Sequence, residues 1–152
     1  MTRWVLLAYR LPREPSTPRI TLWRQLRRLG VAQVADGVAA LPLDARTREQ
    51  LEWLAEEVVE HGGEATIWLA EPGAVALERT LARAMAGSAA RDYQRVIDEA
   101  AAAGSSQSAR RTLSRLRREL RRISSRDFFP SAIGDRARSA VESLSERVEA
   151  AS

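Results

Sequence analysis

The chain has 152 residues, 45% of them apolar and 29% charged, the balance of one globular domain or of a small domain with a helical appendage. With no cysteine and a single histidine, His61, it has no disulfides, no thiolate chemistry, no Cys-ligated metal and no His-rich metal site. Its net charge of +4 is a local block: residues 110–126 hold eight arginines against Glu119 alone, whereas residues 1–109 hold thirteen arginines against fourteen acids.

Along the chain, Trp4–Tyr9 is an apolar run of strand length with both alternating sets apolar, which predicts a strand buried on both faces. Only six apolar residues lie between Arg3 and Arg10, too few for a secretory core, and no apolar run approaches the roughly 18 residues of a membrane-spanning helix. A cytoplasmic protein without membrane contact is expected. Pro12, Pro15 and Pro18 then punctuate a loop, and Ser16 or Thr17 with Pro18 opens a helix over about 19–29. Its expected core stripe is Ile20, Leu22, Trp23, Leu26 and Leu29, and Gly30 sits where a C-terminal glycine belongs. Residues 31–35 and 38–41 flank Asp36-Gly37, the signal of a hairpin with a tight primed turn, closed by Pro42.

Asp44 is a good N-cap for a second helix over about 45–61, with Leu51, Leu54 and Val58 on its apolar face and Gly62-Gly63 ending it. Residues 64–71 read as a fourth strand, again apolar in both registers. The order β-α-β-β-α-β is the ferredoxin-like plan, an antiparallel sheet with two helices on one face, and it predicts an α+β fold. Beyond it, residues 74–103 are helical in pattern, with a break expected near Gly87-Ser88, and 104–108 form a polar linker. Leu113, Leu116, Leu120 and Ile123 repeat as 3-4-3, and after Phe128-Phe129-Pro130 the set Ala137, Val141, Leu144 and Val148 repeats as 4-3-4. These matching seams predict an αα-hairpin. The expected division is a ferredoxin-like domain, 1–72, and a helical extension, 73–152, with helices 74–103, 108–125 and 134–150.

At about 100° per residue, Arg111, Arg115, Arg118 and Arg122 form one stripe nearly opposite the leucine seam, flanked by Arg110, Arg117 and Arg121. Like charges at this spacing repel, and only Glu119 relieves them. Two readings account for the stripe: contact with nucleic-acid phosphates, or pairing with Glu142, Glu146 and Glu149 of the final helix or with acids of another protomer. A second basic group, Arg10, Arg13, Ser16, Arg19 and Arg24, surrounds a helix N-terminus that could hold an oxyanion; the alternative is exposed loop arginines pairing with Glu14. Glu52, Glu56, Glu57 and Glu60 read as a solvated helix face, His61 as a helix-terminal residue, and Trp4, Trp23, Trp53 and Trp68 as core or protomer interface and not as a base-stacking platform.

The segments Leu11-Pro12-Arg13-Glu14-Pro15-Ser16 with Arg19, Leu22-Trp23-Arg24-Gln25-Leu26-Arg27-Arg28-Leu29-Gly30, Gly37–Pro42, Ala90-Arg91-Asp92-Tyr93 and Ile123–Pro130 together resemble the N-terminal domain of the chromate-resistance protein ChrB over nearly the whole chain. That resemblance implies a regulator of a chromate-resistance operon. The plan is also similar to the ferredoxin-like domains of the phenylacetate-pathway repressor PaaX and of small CRISPR-associated nucleases. Those nucleases bind metal through an aspartate ending the first strand, where this chain has Ala8-Tyr9-Arg10, so nuclease activity is not expected. The combined reading is a non-enzymatic, cofactor-free, homodimeric regulatory protein that binds DNA through its arginine helix, with chromate or another oxyanion as a further partner. The competing readings are a homodimeric interaction module without DNA binding, and an oxyanion-binding sensor or enzyme built around Tyr9, Arg10, Arg13 and Arg19.

Overall fold

The computed structural model describes residues 2–152. The elements run β1 (Trp4–Arg10), α1 (Thr17–Leu29), β2 (Ala32–Ala35), β3 (Val38–Pro42), α2 (Ala45–Glu60), β4 (Glu64–Ala70), α3 (Val75–Ala102), α4 (Gln107–Ser125) and α5 (Ala132–Ala150). The chain divides into two compact units, one ending at Met85 and one from Ala86 to Ser152, so the division falls within α3 and not at residues 72/73. No break occurs at Gly87-Ser88: α3 is continuous, because nothing there removes a helical hydrogen bond as a proline would.

In the first unit, the four strands form one antiparallel sheet in the order β2-β3-β1-β4, the ferredoxin-like arrangement. Leu6 of β1 pairs with Ala40 of β3 and Trp68 of β4, while Leu7 pairs with Ala39 and Ile67. Helix α2 packs on β1 and β4, and α1 packs beside α2. Trp4, Val5, Leu7 and Leu41 are buried together with Leu22 and Leu26 of α1 and Leu51, Leu54 and Val58 of α2. Local chemistry sets the helix ends. Gly30 takes φ 78° at the end of α1, and its N–H reaches the carbonyls of Arg27 and Leu26. Asp44 and Thr47 form a reciprocal capping box at the start of α2, Thr47 N–H donating to Asp44 Oδ1 at 2.7 Å.

Two expectations for this unit need correction. The β2–β3 connection is not a primed turn with two positive φ angles: only Gly37 is positive, at 76°, and a register shift between Gln33 and Ala35 absorbs the mismatch. The expected α1 stripe was also too wide. A stripe holding Ile20, Trp23, Leu26, Leu22 and Leu29 covers about half the helix circumference. The structure buries only Leu22 and Leu26 and leaves Ile20 and Trp23 exposed. Of the four tryptophans, Trp4 alone is in the core; Trp23, Trp53 and Trp68 are exposed.

In the second unit, Tyr93, Val96 and Ala100 of α3 pack with Ala109, Leu113, Leu116 and Ile123 of α4 and with Ala137, Val141, Leu144 and Val148 of α5. The 3-4-3 and 4-3-4 seams therefore meet as the periodicity predicts, with the residues from α3 completing the layer.

Candidate nucleic-acid interface

Helix α4 is strongly two-sided for a simple reason. Its apolar residues occupy one seam that must be buried, so the seven arginines between Arg110 and Arg122 are forced outward, and all seven are exposed. Arg111, Arg115, Arg118 and Arg122 extend over about 16 Å of helix axis.

Their partners divide them. Arg115 pairs with Glu99 of α3, Arg110 donates to Ser152 Oγ, and Arg117 Nη2 donates to Ser145 Oγ at 2.9 Å. Arg122 lies 3.7 Å from Glu119, one turn away on the same helix. Arg111, Arg118 and Arg121 have no ion pair or side-chain hydrogen bond among the described residues. Glu142, Glu146 and Glu149 of α5 form no salt bridge there either, so pairing across the hairpin does not neutralise the stripe. The contact with Glu99 was not foreseen, because Glu99 reaches α4 only through the packing of α3. In the neighbouring helix α5, Arg138 Nη2 donates to Asp135 Oδ1 at 2.7 Å, and this bond raises the Arg138 pKa further.

The C-terminal end of α4 is tied to α3 by two contacts between segments 34 residues apart. Arg126 Nη2 binds Asp92 Oδ2 at 3.0 Å, both side chains being mostly buried, and Tyr93 donates its hydroxyl to Asp127 Oδ2 at 3.1 Å. Asp92 also pairs with Arg95. Asp92-Tyr93 and Arg126-Asp127 are thus structural ties that fix the arginine helix. Removing the Tyr93 hydroxyl takes a donor from the half-buried Asp127 carboxylate, so Tyr93→Phe is expected to destabilise this unit by about 1 kcal/mol, read as a lower denaturant midpoint by circular dichroism. An unchanged midpoint would show that the tie contributes nothing.

The second basic group flanks the start of α1. Arg10, Arg13, Arg19 and Arg24 are exposed, and Arg19 and Arg24 project about 140° apart around α1. Ser16 occupies the N-cap position without a side-chain capping bond. A shallow cavity at this helix N-terminus is lined by Leu11, Pro18, Leu22 and Val58 with Glu57 and His61, and by none of the four arginines. His61 Nδ1 lies 2.8 Å from the Glu57 carbonyl, a helix-terminal contact. No group of three or more potential metal ligands occurs among the described residues.

A family model described as "Protein ChrB, N-terminal" matches residues 19–106. Protein ChrB of Cupriavidus metallidurans is 34% identical over 68 residues, which cover 45% of this chain and 20% of that protein. The matched segment thus spans about a fifth of that relative's length. The solved structure of the uncharacterized protein Rv0674 from Mycobacterium tuberculosis is similar in fold, with a TM-score of 0.56 at 16% identity, covering 99% of this chain and 64% of that one. The family match ends at Ser106, one residue before α4, so it covers less of the chain than the sequence resemblance suggested.

Proposed function

Because the chain belongs to the family described as "Protein ChrB, N-terminal", we propose that it is a chromate-resistance-related regulatory protein that performs no catalysis and holds duplex DNA against α4. The observation that carries this reading is the row of exposed arginines on α4, of which Arg111, Arg118 and Arg121 are uncommitted while Glu142, Glu146 and Glu149 of α5 form no salt bridge among the described residues. A one-sided helix of like charges stores repulsion that a polyanion relieves. Each neutralised phosphate also releases condensed counterions, which gives binding its free energy and its salt dependence. Such contacts set position and register on the duplex and carry no base code.

The test is fluorescence-anisotropy binding to a duplex from the protein's own upstream region and to a scrambled duplex, over a salt series. The expected result is tight binding at low salt that weakens steeply with added salt, with the upstream duplex preferred. Equal affinity for both duplexes would remove the regulatory half of the reading. No binding to either at low salt would overturn it.

A further inference from the structure

The two helices of the first unit carry opposite charge on their outer faces. Helix α1 has Arg19, Arg24, Arg27 and Arg28 and no acid, whereas α2 has Glu49, Glu52, Glu56, Glu57 and Glu60 against Arg46 and Arg48. With Leu22 and Leu26 turned inward, helical geometry puts Ile20, Arg24 and Arg27 on the outside of α1. With Leu51, Leu54 and Val58 inward, Glu49, Glu52 and Glu56 lie on the outside of α2. Arg24, Arg28, Glu49 and Glu56 are exposed, and none has an ion pair among the described residues.

Large apolar side chains stand among these charges. Trp23 is 56% exposed on α1 and Trp53 is 64% exposed on α2. Both indoles are held in place: the Arg27 guanidinium stacks 4.9 Å from the Trp23 ring centroid, and Trp53 Nε1 donates to Glu57 Oε1 at 2.9 Å. An ordered, exposed tryptophan ringed by charge has the form of an interface anchor, since it covers much area at little entropic cost.

We propose that this helical layer is the contact between two copies of the chain, α1 of each copy docking on α2 of the other. The topology decides the geometry. Each helix crosses back between strands of one antiparallel sheet, so α1 and α2 run in opposite directions side by side. A two-fold axis along the helices, between two stacked layers, sets each basic helix on an acidic one. A two-fold axis across the helices would set α1 on α1 and arginine on arginine. Only the first is electrostatically complementary, and the symmetry supplies the match twice. The layer carries both halves of the pair on one surface, which is why a second copy is the fitting occupant.

Charge reversal tests this on the full chain. At about 50 µM, where an interface of standard size is occupied, the wild type is expected to sediment as a dimer. Arg24→Glu with Arg28→Glu removes the net charge of α1 and leaves its outer face acidic, Arg27 being outnumbered there, and Glu49→Arg with Glu56→Arg makes α2 net basic. Each double variant alone is expected to dissociate at least about tenfold more readily, and an equimolar mixture to recover the dimer, because both cross-contacts are then restored. Trp53→Ala should weaken the wild-type dimer by a similar factor. Circular dichroism checks that every variant is folded, and recovery in the mixture could not come from misfolded chains. A monomeric wild type, a dimer indifferent to both reversals, or a mixture that stays monomeric would each overturn the proposal.

Discussion

Replacing Arg111, Arg115, Arg118 and Arg122 together with alanine is expected to lower affinity for duplex DNA about 10^3-fold near 0.1 M salt and to flatten the logarithmic salt dependence by about 3 to 4. The magnitude follows from four phosphate contacts, each releasing slightly less than one counterion. The fold should survive, because alanine is the best helix former and the buried seam of α4 is untouched. Among the described residues, the only interhelical ion pair lost from the stripe is the exposed one between Arg115 and Glu99, of little value to stability. Single substitutions should rank by commitment. Arg118→Ala and Arg111→Ala remove uncommitted charges, whereas Arg117→Ala removes a group already bound to Ser145 and should cost less. A quadruple variant that binds with unchanged affinity and salt slope would place any DNA contact off this face.

Much of this was legible in the sequence because it depends on spacing. The leucine seam of α4 and its partner on α5 repeat with helical period, so their meeting and the outward direction of the arginines follow from the sequence together. The order of sheet elements was readable for a similar reason: Gly30, Asp44 and Gly62 punctuate it through local capping chemistry. Tertiary contacts were not readable. Nothing near Arg115 announces Glu99, and nothing near Tyr93 announces Asp127, because α3 brings both across a distance in sequence. Of the two readings of the tryptophans, core or protomer interface, the core one fails at Trp23 and Trp53 for a different reason. Residue type says buried, but the inward direction of α1 is set by Leu22 and Leu26, and that of α2 by Leu51, Leu54 and Val58, leaving Trp23 and Trp53 outside.

The Gly62-Gly63 pair shows how far a local reading reaches, and the larger stability effect is expected at its second member. The sequence marks both residues equally as a helix stop. Gly62 takes φ 83° in open space, its nearest added-Cβ neighbour being Pro12 Cγ at 4.0 Å. Gly62→Ala therefore meets only left-handed backbone strain, about 1 to 2 kcal/mol. Gly63 has no such freedom of space: an added Cβ would lie 2.3 Å from the Arg10 carbonyl oxygen and 2.8 Å from Val58 Cγ1. One obstacle is backbone of β1 where Arg10 pairs with Glu64, and the other is a buried core side chain, so neither can swing aside. Relief requires β4 to move off β1 or α2 to lift from the sheet. Gly63→Ala is expected to cost about 3 kcal/mol or more, at the upper end of overpacking penalties. The readout isolates the unit concerned, because Trp4, Trp23, Trp53 and Trp68 all precede Met85, and tryptophan fluorescence during urea unfolding reports that unit alone. If Gly63→Ala unfolds at the same urea concentration as Gly62→Ala, the close approach of β1 to the start of β4 is not what requires glycine there.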